Sequence, residues 1–253
     1  CAHDTLEIND MEYLIMKKSA SLKLTALTLA AFGLLAFSAT SLPVQANTFS
    51  ANHPNADMVD ISAYQGAQTN LGLQNMKDTG VQAMTIKATE GTYHTNPLLA
   101  QQTQTAQSAG LSINFYHYAN FTTKAQAKRE AKYFVKHVEA VTSQRDVVMA
   151  IDFEASKLAN LPIATNDRNI KAFNKVVQKA GFTKTDIYTN ANWVDSYVSM
   201  NSKNLGWLAN YPNNPTGKKY AAANAWQWTS NFKFSGTGRT DVSQLNNDYY
   251  LND

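Results

Sequence analysis

Short apolar runs alternate with longer segments of helical period along most of this chain, and that alternation constrains the fold more than any other feature. Met58-Val59-Asp60-Ile61, Gln82–Ala88, Leu111–Tyr118, Asp146–Phe153 and Thr185–Thr189 read as five strands. Between them, Leu71–Asp78, Pro97–Ser108, Lys124–Val141 and Asn169–Ala180 read as helices. The third is the best patterned: Ala127, Ala131, Phe134, Val135 and Val138 recur at three-and-four spacing with lysines between them. Gly80, Gly110 and Gly181 follow helix candidates, where a left-handed cap is wanted. Such alternation specifies parallel strands joined by helical crossovers. After the fifth strand the pattern changes. Leu205–Ala209, Ala225–Thr229 and Thr240–Gln244 look like strands, separated by intervals rich in Asn, Pro, Gly and Ser without helical period. About eight strands with helices mainly in the first five units point to a single-domain α/β barrel with a thinned second half; an open doubly wound sheet is the competing arrangement.

The amino-terminal part reads differently. Met16-Lys17-Lys18 opens a basic stretch ending at Lys23, Leu24–Phe37 is an uncharged, mostly apolar run, and Val44-Gln45-Ala46 suits a signal peptidase. The apolar run has 14 residues, short of the about 20 that a membrane-spanning helix needs. Residues 16–46 are therefore expected to be a secretory signal peptide, and residues 1–15 an upstream segment without a usable pattern, with Met11 as an alternative start. Residues 47–56 read as a short leader and residues 57–253 as the barrel domain. Of 22 Lys+Arg and 19 Asp+Glu, residues 1–46 hold three and four, which leaves a surplus of four positive charges beyond Ala46. That mild, scattered excess suits an anionic cell wall and argues against nucleic acid. The single cysteine is Cys1, so an exported product would depend on its core rather than on disulfides.

Asp152-Phe153-Glu154 is the sharpest chemical feature. It ends the apolar strand Val147–Ile151, and strand alternation puts the two acids on one face with Phe153 on the other. Carboxylates at the carboxyl end of a parallel strand lie where barrel active sites are built. Mutual repulsion and burial can keep one protonated while its neighbour stays ionised, a division of labour that glycoside cleavage needs. Taken alone, D-x-E is equally a solvated loop pair. Asp60 closes the first strand in the same way, with a cap as the bland alternative. Asp241 lies on the last strand, where a turn role competes. In a closed barrel the first and last strands are neighbours, so Asp60 and Asp241 could face the Asp152–Glu154 pair.

Aromatics gather near the same strand ends: Tyr116, Tyr118, Tyr188, Trp207, Tyr211, Trp226 and Trp228. Sugar faces stack on such rings, although most buried aromatics are core and Trp226 with Trp228 reads equally as packing. His53, His94, His117 and His137 have no zinc spacing, so no metal is expected. A phosphate-binding glycine loop and a G-x-S-x-G elbow are both missing, and no cofactor is expected.

The series Asp60-Ile61-Ser62 with Gln65, Lys87-Ala88-Thr89-Glu90-Gly91, Tyr116-His117, Asp152-Phe153-Glu154, Trp207-Leu208-Ala209, Trp226-Gln227 and Asp241-Val242-Ser243 resembles glycoside hydrolase family 25, the Chalaropsis-type lysozymes. The resemblance runs in order from about Met58 to the last residues. It implies a TIM-like βα-barrel with five βα units followed by three strands, and N-acetylmuramidase activity on the β-1,4 bond between N-acetylmuramic acid and N-acetylglucosamine. By position, Glu154 would be the general acid, Asp152 its partner carboxylate, and Asp60 and Asp241 the acids completing the site. Tyr116, Tyr188 and Trp207 would bind sugar. The second step is left open between attack by a carboxylate and attack by the substrate's acetamido oxygen. The implied protein is secreted, associated with the cell wall and monomeric, and acts on peptidoglycan glycan strands with no membrane partner once its signal is removed. A chitinase-like barrel is disfavoured, because its D-x-x-D-x-D-x-E pattern needs acids where this chain has Val147 and Ala150. A non-catalytic wall-glycan-binding protein is the alternative from another class.

Overall fold

The computed structural model describes residues 52–201 and 205–252; the upstream segment, the expected signal peptide and residues 47–51 of the expected leader lie outside them. Strands β1 (Met58–Ile61), β2 (Ala83–Glu90), β4 (Ser112–Tyr118), β5 (Met149–Asp152), β6 (Thr185–Asn190), β7 (Trp207–Ala209), β8 (Ala225–Lys233) and β9 (Arg239–Leu245) follow one another around a sheet. Pairing of β1 with both β2 and β9 closes that sheet into an eight-stranded barrel. The two-residue β3 (His94–Thr95) is a hairpin appendage of β2. All barrel pairs are parallel except those made by β9, which runs antiparallel to β8 and β1. The cause is the short link at residues 234–238, since a parallel return needs a crossover of a dozen residues or more.

Four helices cover the outside: α1 (Asn70–Asp78), α2 (Leu99–Ser108), α3 (Lys124–Glu139) and α4 (Ile163–Lys179). Thr69 caps α1 by accepting from the Gly72 amide, and Thr123 forms a capping box with Gln126 at α3. Helix α4 begins six residues before its sequence periodicity does. Its opening turn holds the weak helix formers Thr165, Asn166 and Asp167. It is fixed from outside, by Asn166 donating to the carbonyls of Leu158 and Tyr197 at 3.0 and 2.9 Å. The expected fifth βα unit is not helical among the described residues. After β6 comes a 3-10 turn, Ala191–Trp193, and then Asp195 with φ of 60°. The Asn and Ser side chains of this stretch compete with the backbone for its hydrogen bonds.

Strand alternation divides the apolar residues into two layers. Outward positions such as Val59, Ile86, Phe115, Met149, Ile151 and Ile187 join the helices in the main core. His117 belongs to this outer layer. Its ring is buried between Phe134 and Phe173, with Nδ1 2.8 Å from Thr89 Oγ1 and Nε2 2.9 Å from Glu130. Inward positions build a smaller cluster of Met58, Ala83, Val148, Ala150, Trp207 and Ala225. The 3-10 turn Asp248–Tyr250 plugs the barrel at the amino ends of its strands. Tyr250 donates to Asp186 Oδ2 at 2.9 Å, accepts from Asn114 through its carbonyl and stacks edge-on with Trp207. Asp186 also accepts from Asn224 and from the amides of Ile187 and Gly206, while burial pushes its carboxyl up to about 6.

Candidate active site

With its amino end plugged, the barrel opens at the carboxyl ends of its parallel strands. The inward positions there carry acids and tyrosines where the positions below carry methionine and alanine. Asp60 and Asp241 are direct cross-strand partners on β1 and β9. Asp152 is the last residue of β5, flanked in register by Tyr118 on β4 and Tyr188 on β6. The Phe153 amide still donates to the Tyr188 carbonyl at 2.8 Å, so Glu154 is the first residue past the ladder. Alternation sends Phe153 into the outer core and both acids toward the mouth at different depths, Asp152 buried and Glu154 exposed. Glu154 is within electrostatic reach of the other three acids, and Asp60 of both Asp152 and Asp241. Asp241 and Glu154 both act on Asp60, Glu154 acts on Asp152, and Glu154 acts on Asp241.

Burial is the largest cause of every shift in this group. It holds Asp60 and Asp152 well above the usual carboxylate range, with further upward pushes from Asp241 and Glu154 respectively. Asp241 is raised to about 6. Glu154 is raised too, because the crowded walls of the mouth desolvate it even though its side chain reaches solvent; Lys87 pulls it down. Lys87 also opposes the rise at Asp152, pairs with Glu90 at 2.8 Å and stands 5.0 Å from the centre of the Tyr118 ring.

Asp60 is not a cap, since Ser62 caps the following turn. It accepts from Gln227 Nε2 at 2.7 Å. The Gln227 carbonyl oxygen accepts in turn from the Tyr188 hydroxyl at 2.7 Å and from the Tyr211 hydroxyl. Asp152 Oδ1 is the contrast: a buried carboxylate oxygen with no hydrogen-bond partner among the described residues. A cavity of about 480 Å³ opens beside Asp60, Tyr116 and Asp241, with Arg239 and the largely exposed Tyr64 at its edge.

The aromatics separate into three groups. Tyr116 and Tyr188 face the acids and are half-buried, and Tyr211 is exposed at the rim. Trp207, expected to bind sugar, is 1% exposed. It donates to Ser243 Oγ at 2.9 Å and is overlain edge-on by Tyr188 at 4.6 Å, so it supports Tyr188 from below and has no free face. Trp226 and Trp228 point outward, donating to the carbonyls of Asn210 and Asn55. Sequence reasoning gave no role to Gln227, Lys87 or Tyr64. An amide at an inward position between Trp226 and Trp228, and a lysine at an inward position of β2, are the signals that could have marked the first two.

These raised acids make stability depend on pH with a definite sign. Between about pH 4 and about pH 6, folded Asp241 keeps a proton that the unfolded chain, at 3.8, has released. Its contribution is therefore fully present at low pH and is lost as pH rises through that window. Asp241→Asn is expected to be more stable than the wild type at about pH 7, by on the order of 1–2 kcal/mol. Urea unfolding should show this advantage vanishing below about pH 4, and a pH-independent difference would refute the burial assigned to this acid.

Residues 59–237 match the model of glycosyl hydrolases family 25. The chain is 29% identical over 157 residues to the autolytic lysozyme of Clostridium acetobutylicum, covering 61% of this chain and 45% of that relative. It is 23% identical over 202 residues to lysozyme M1 of Streptomyces globisporus, covering 74% of this chain and 67% of that relative. The solved structure of a family 25 glycosyl hydrolase from Bacillus anthracis shares the fold with a TM-score of 0.63 at 20% identity, over 78% of this chain and 94% of that one. The family match takes in more than half of the 253 residues, from the strand bearing Asp60 through the strand bearing Gln227, and places the chain within glycosyl hydrolases family 25.

Proposed function

We propose that the protein is a secreted muramidase, hydrolysing the β-1,4 bond between N-acetylmuramic acid and N-acetylglucosamine in bacterial peptidoglycan. The observation that carries this reading is the convergence of Asp60, Asp152, Glu154 and Asp241 from three strands on one mouth, each with its carboxyl raised by burial. The related lysozymes give the reading its substrate class. In it, residues 16–46 export a barrel that begins near residue 57, works as a monomer at the cell wall, and is a shortened form of the TIM-like barrel.

Glu154, nearest to solvent and opposed by Lys87, donates its proton to the glycosidic oxygen as the C–O bond breaks. Asp152 Oδ1, buried and unpartnered, accepts the N–H of the substrate's acetamido group, whose carbonyl oxygen then attacks the sugar carbon. Water opens the resulting ring and gives its proton to the Glu154 carboxylate, which restores the acid. Gln227, fixed by Tyr188 and Tyr211, holds Asp60 in place. Tyr116 and Tyr188 line the sugar pocket, and Trp207 positions Tyr188.

The test is mass spectrometry of peptidoglycan digested by the purified protein. Muropeptides ending in reducing muramic acid are expected. Products ending in reducing N-acetylglucosamine overturn the bond assignment, and wall binding without soluble products leaves the protein a non-catalytic glycan binder.

A further inference from the structure

Helices α3 and α4 pack side by side, and a depression of about 650 Å³ lies between them, sharing no lining residue with the acidic mouth. Its floor is aliphatic, with Val135 and Val176, and its walls carry Lys128, Lys132 and Lys136 from α3 and Lys175 and Lys179 from α4. All five lysines are exposed. Spacing by four residues aligns each set into a row along its helix. The two helices hold nine Lys and Arg against three Asp and Glu, a surplus of six in a chain whose net charge is +3, so the rest of the chain is net acidic by three. None of the three ion pairs among the described residues involves these lysines, and Glu139, the acid lining the depression, is engaged by Arg145 at 3.1 Å. Like charges four residues apart repel and weaken a helix. Lys136 and Lys179 lie in last turns, where they complement the negative helix end. Lys128, Lys132 and Lys175 have no such role.

We propose that this groove binds a flexible, base-free phosphodiester polymer. The helical rise sets successive lysines about 6 Å apart, comparable to the phosphate-to-phosphate step of such a chain. A depression running between two helices suits a single strand better than a flat bilayer. No aromatic side chain lines it, so nucleobases would find no stacking platform. Occupancy would hold the barrel on a phosphate-bearing wall while its mouth works on glycan. That consequence rests on the muramidase reading, whereas the binding itself does not.

Calorimetric titration of the protein with poly(glycerol phosphate) tests the proposal. Binding is expected, with log K falling against log[salt] at a slope of about −3.5 for five lysines on a flexible polyanion. The triple variant Lys128→Gln, Lys132→Gln, Lys175→Gln is expected to bind about tenfold or more weakly and to flatten the slope by about 2. It should also melt about 2–4 °C higher, since repulsion within the rows is relieved. A control of equal charge, Lys157→Gln, Lys218→Gln, Lys219→Gln, is expected to stay within about twofold of the wild type. Four outcomes overturn the assignment: no wild-type binding at about 50 mM NaCl, equal losses in the two variants, a lower melting temperature in the groove variant, or tighter binding to single-stranded DNA or phosphatidylglycerol vesicles.

Discussion

Glu154→Gln is expected to slow wall clearing by about 10²–10⁴-fold, the usual worth of a positioned general acid. The amide keeps the shape of the side chain but has no acidic proton to give to the leaving oxygen. Because Glu154 stands past the end of the β5 ladder and is exposed, the change should leave folding and sedimentation with insoluble wall unaltered. The pH profile supplies a second readout. Burial raises this carboxyl, so wild-type activity should decline as pH rises and the acid ionises; Lys87→Met should extend activity to higher pH by removing the charge that favours ionisation. Retention of more than a tenth of the wild-type rate in Glu154→Gln would refute the assignment.

Asp152→Asn is expected to cost about 10²–10³-fold in turnover, the range for removing one group that stabilises developing charge. The same substitution should raise stability near neutral pH. In the folded wild type, burial and Glu154 both favour the protonated form of Asp152, so ionising it near neutral pH costs stability, and asparagine has no such conflict. Lower activity with a higher melting temperature is the signature of a group kept for chemistry at the fold's expense. Both falling together would mean that Asp152 serves the structure, and an active, stabilised variant would leave it without a role. Asp60→Asn tests the other side of the mouth. It keeps an oxygen for Gln227 to donate to while losing the charge, so impaired turnover with a melting temperature raised near neutral pH is expected.

The barrel was legible because alternation along each strand is a local property. Val59 and Ile61 outward with Met58 and Asp60 inward can be read without knowing any partner strand, and so can the shared face of Asp152 and Glu154. Depth along the barrel axis is different, since it depends on strand tilt. Trp207 pairs in register with Tyr188, and Tyr188 with Asp152, yet the first is sealed against the plug while the last faces the mouth. Trp207 points inward, but its level along the axis was not readable from sequence. The non-helical return after β6 and the early start of α4 escaped for a related reason. Each is decided by contacts from distant residues, as when Asn166 reaches Tyr197, and such contacts leave no periodicity.

The antiparallel final strand has a consequence for the order of events during synthesis. Asp60 emerges early, but Asp241 arrives on β9, and Gln227, which grips Asp60 across 167 positions of chain, arrives only shortly before. Until that last hairpin docks against the first strand the ring is unsealed and the acids are strangers to one another. On the proposed reading an unfinished chain has no assembled acid cluster, and competence comes as a single late step, when the two ends of the barrel meet.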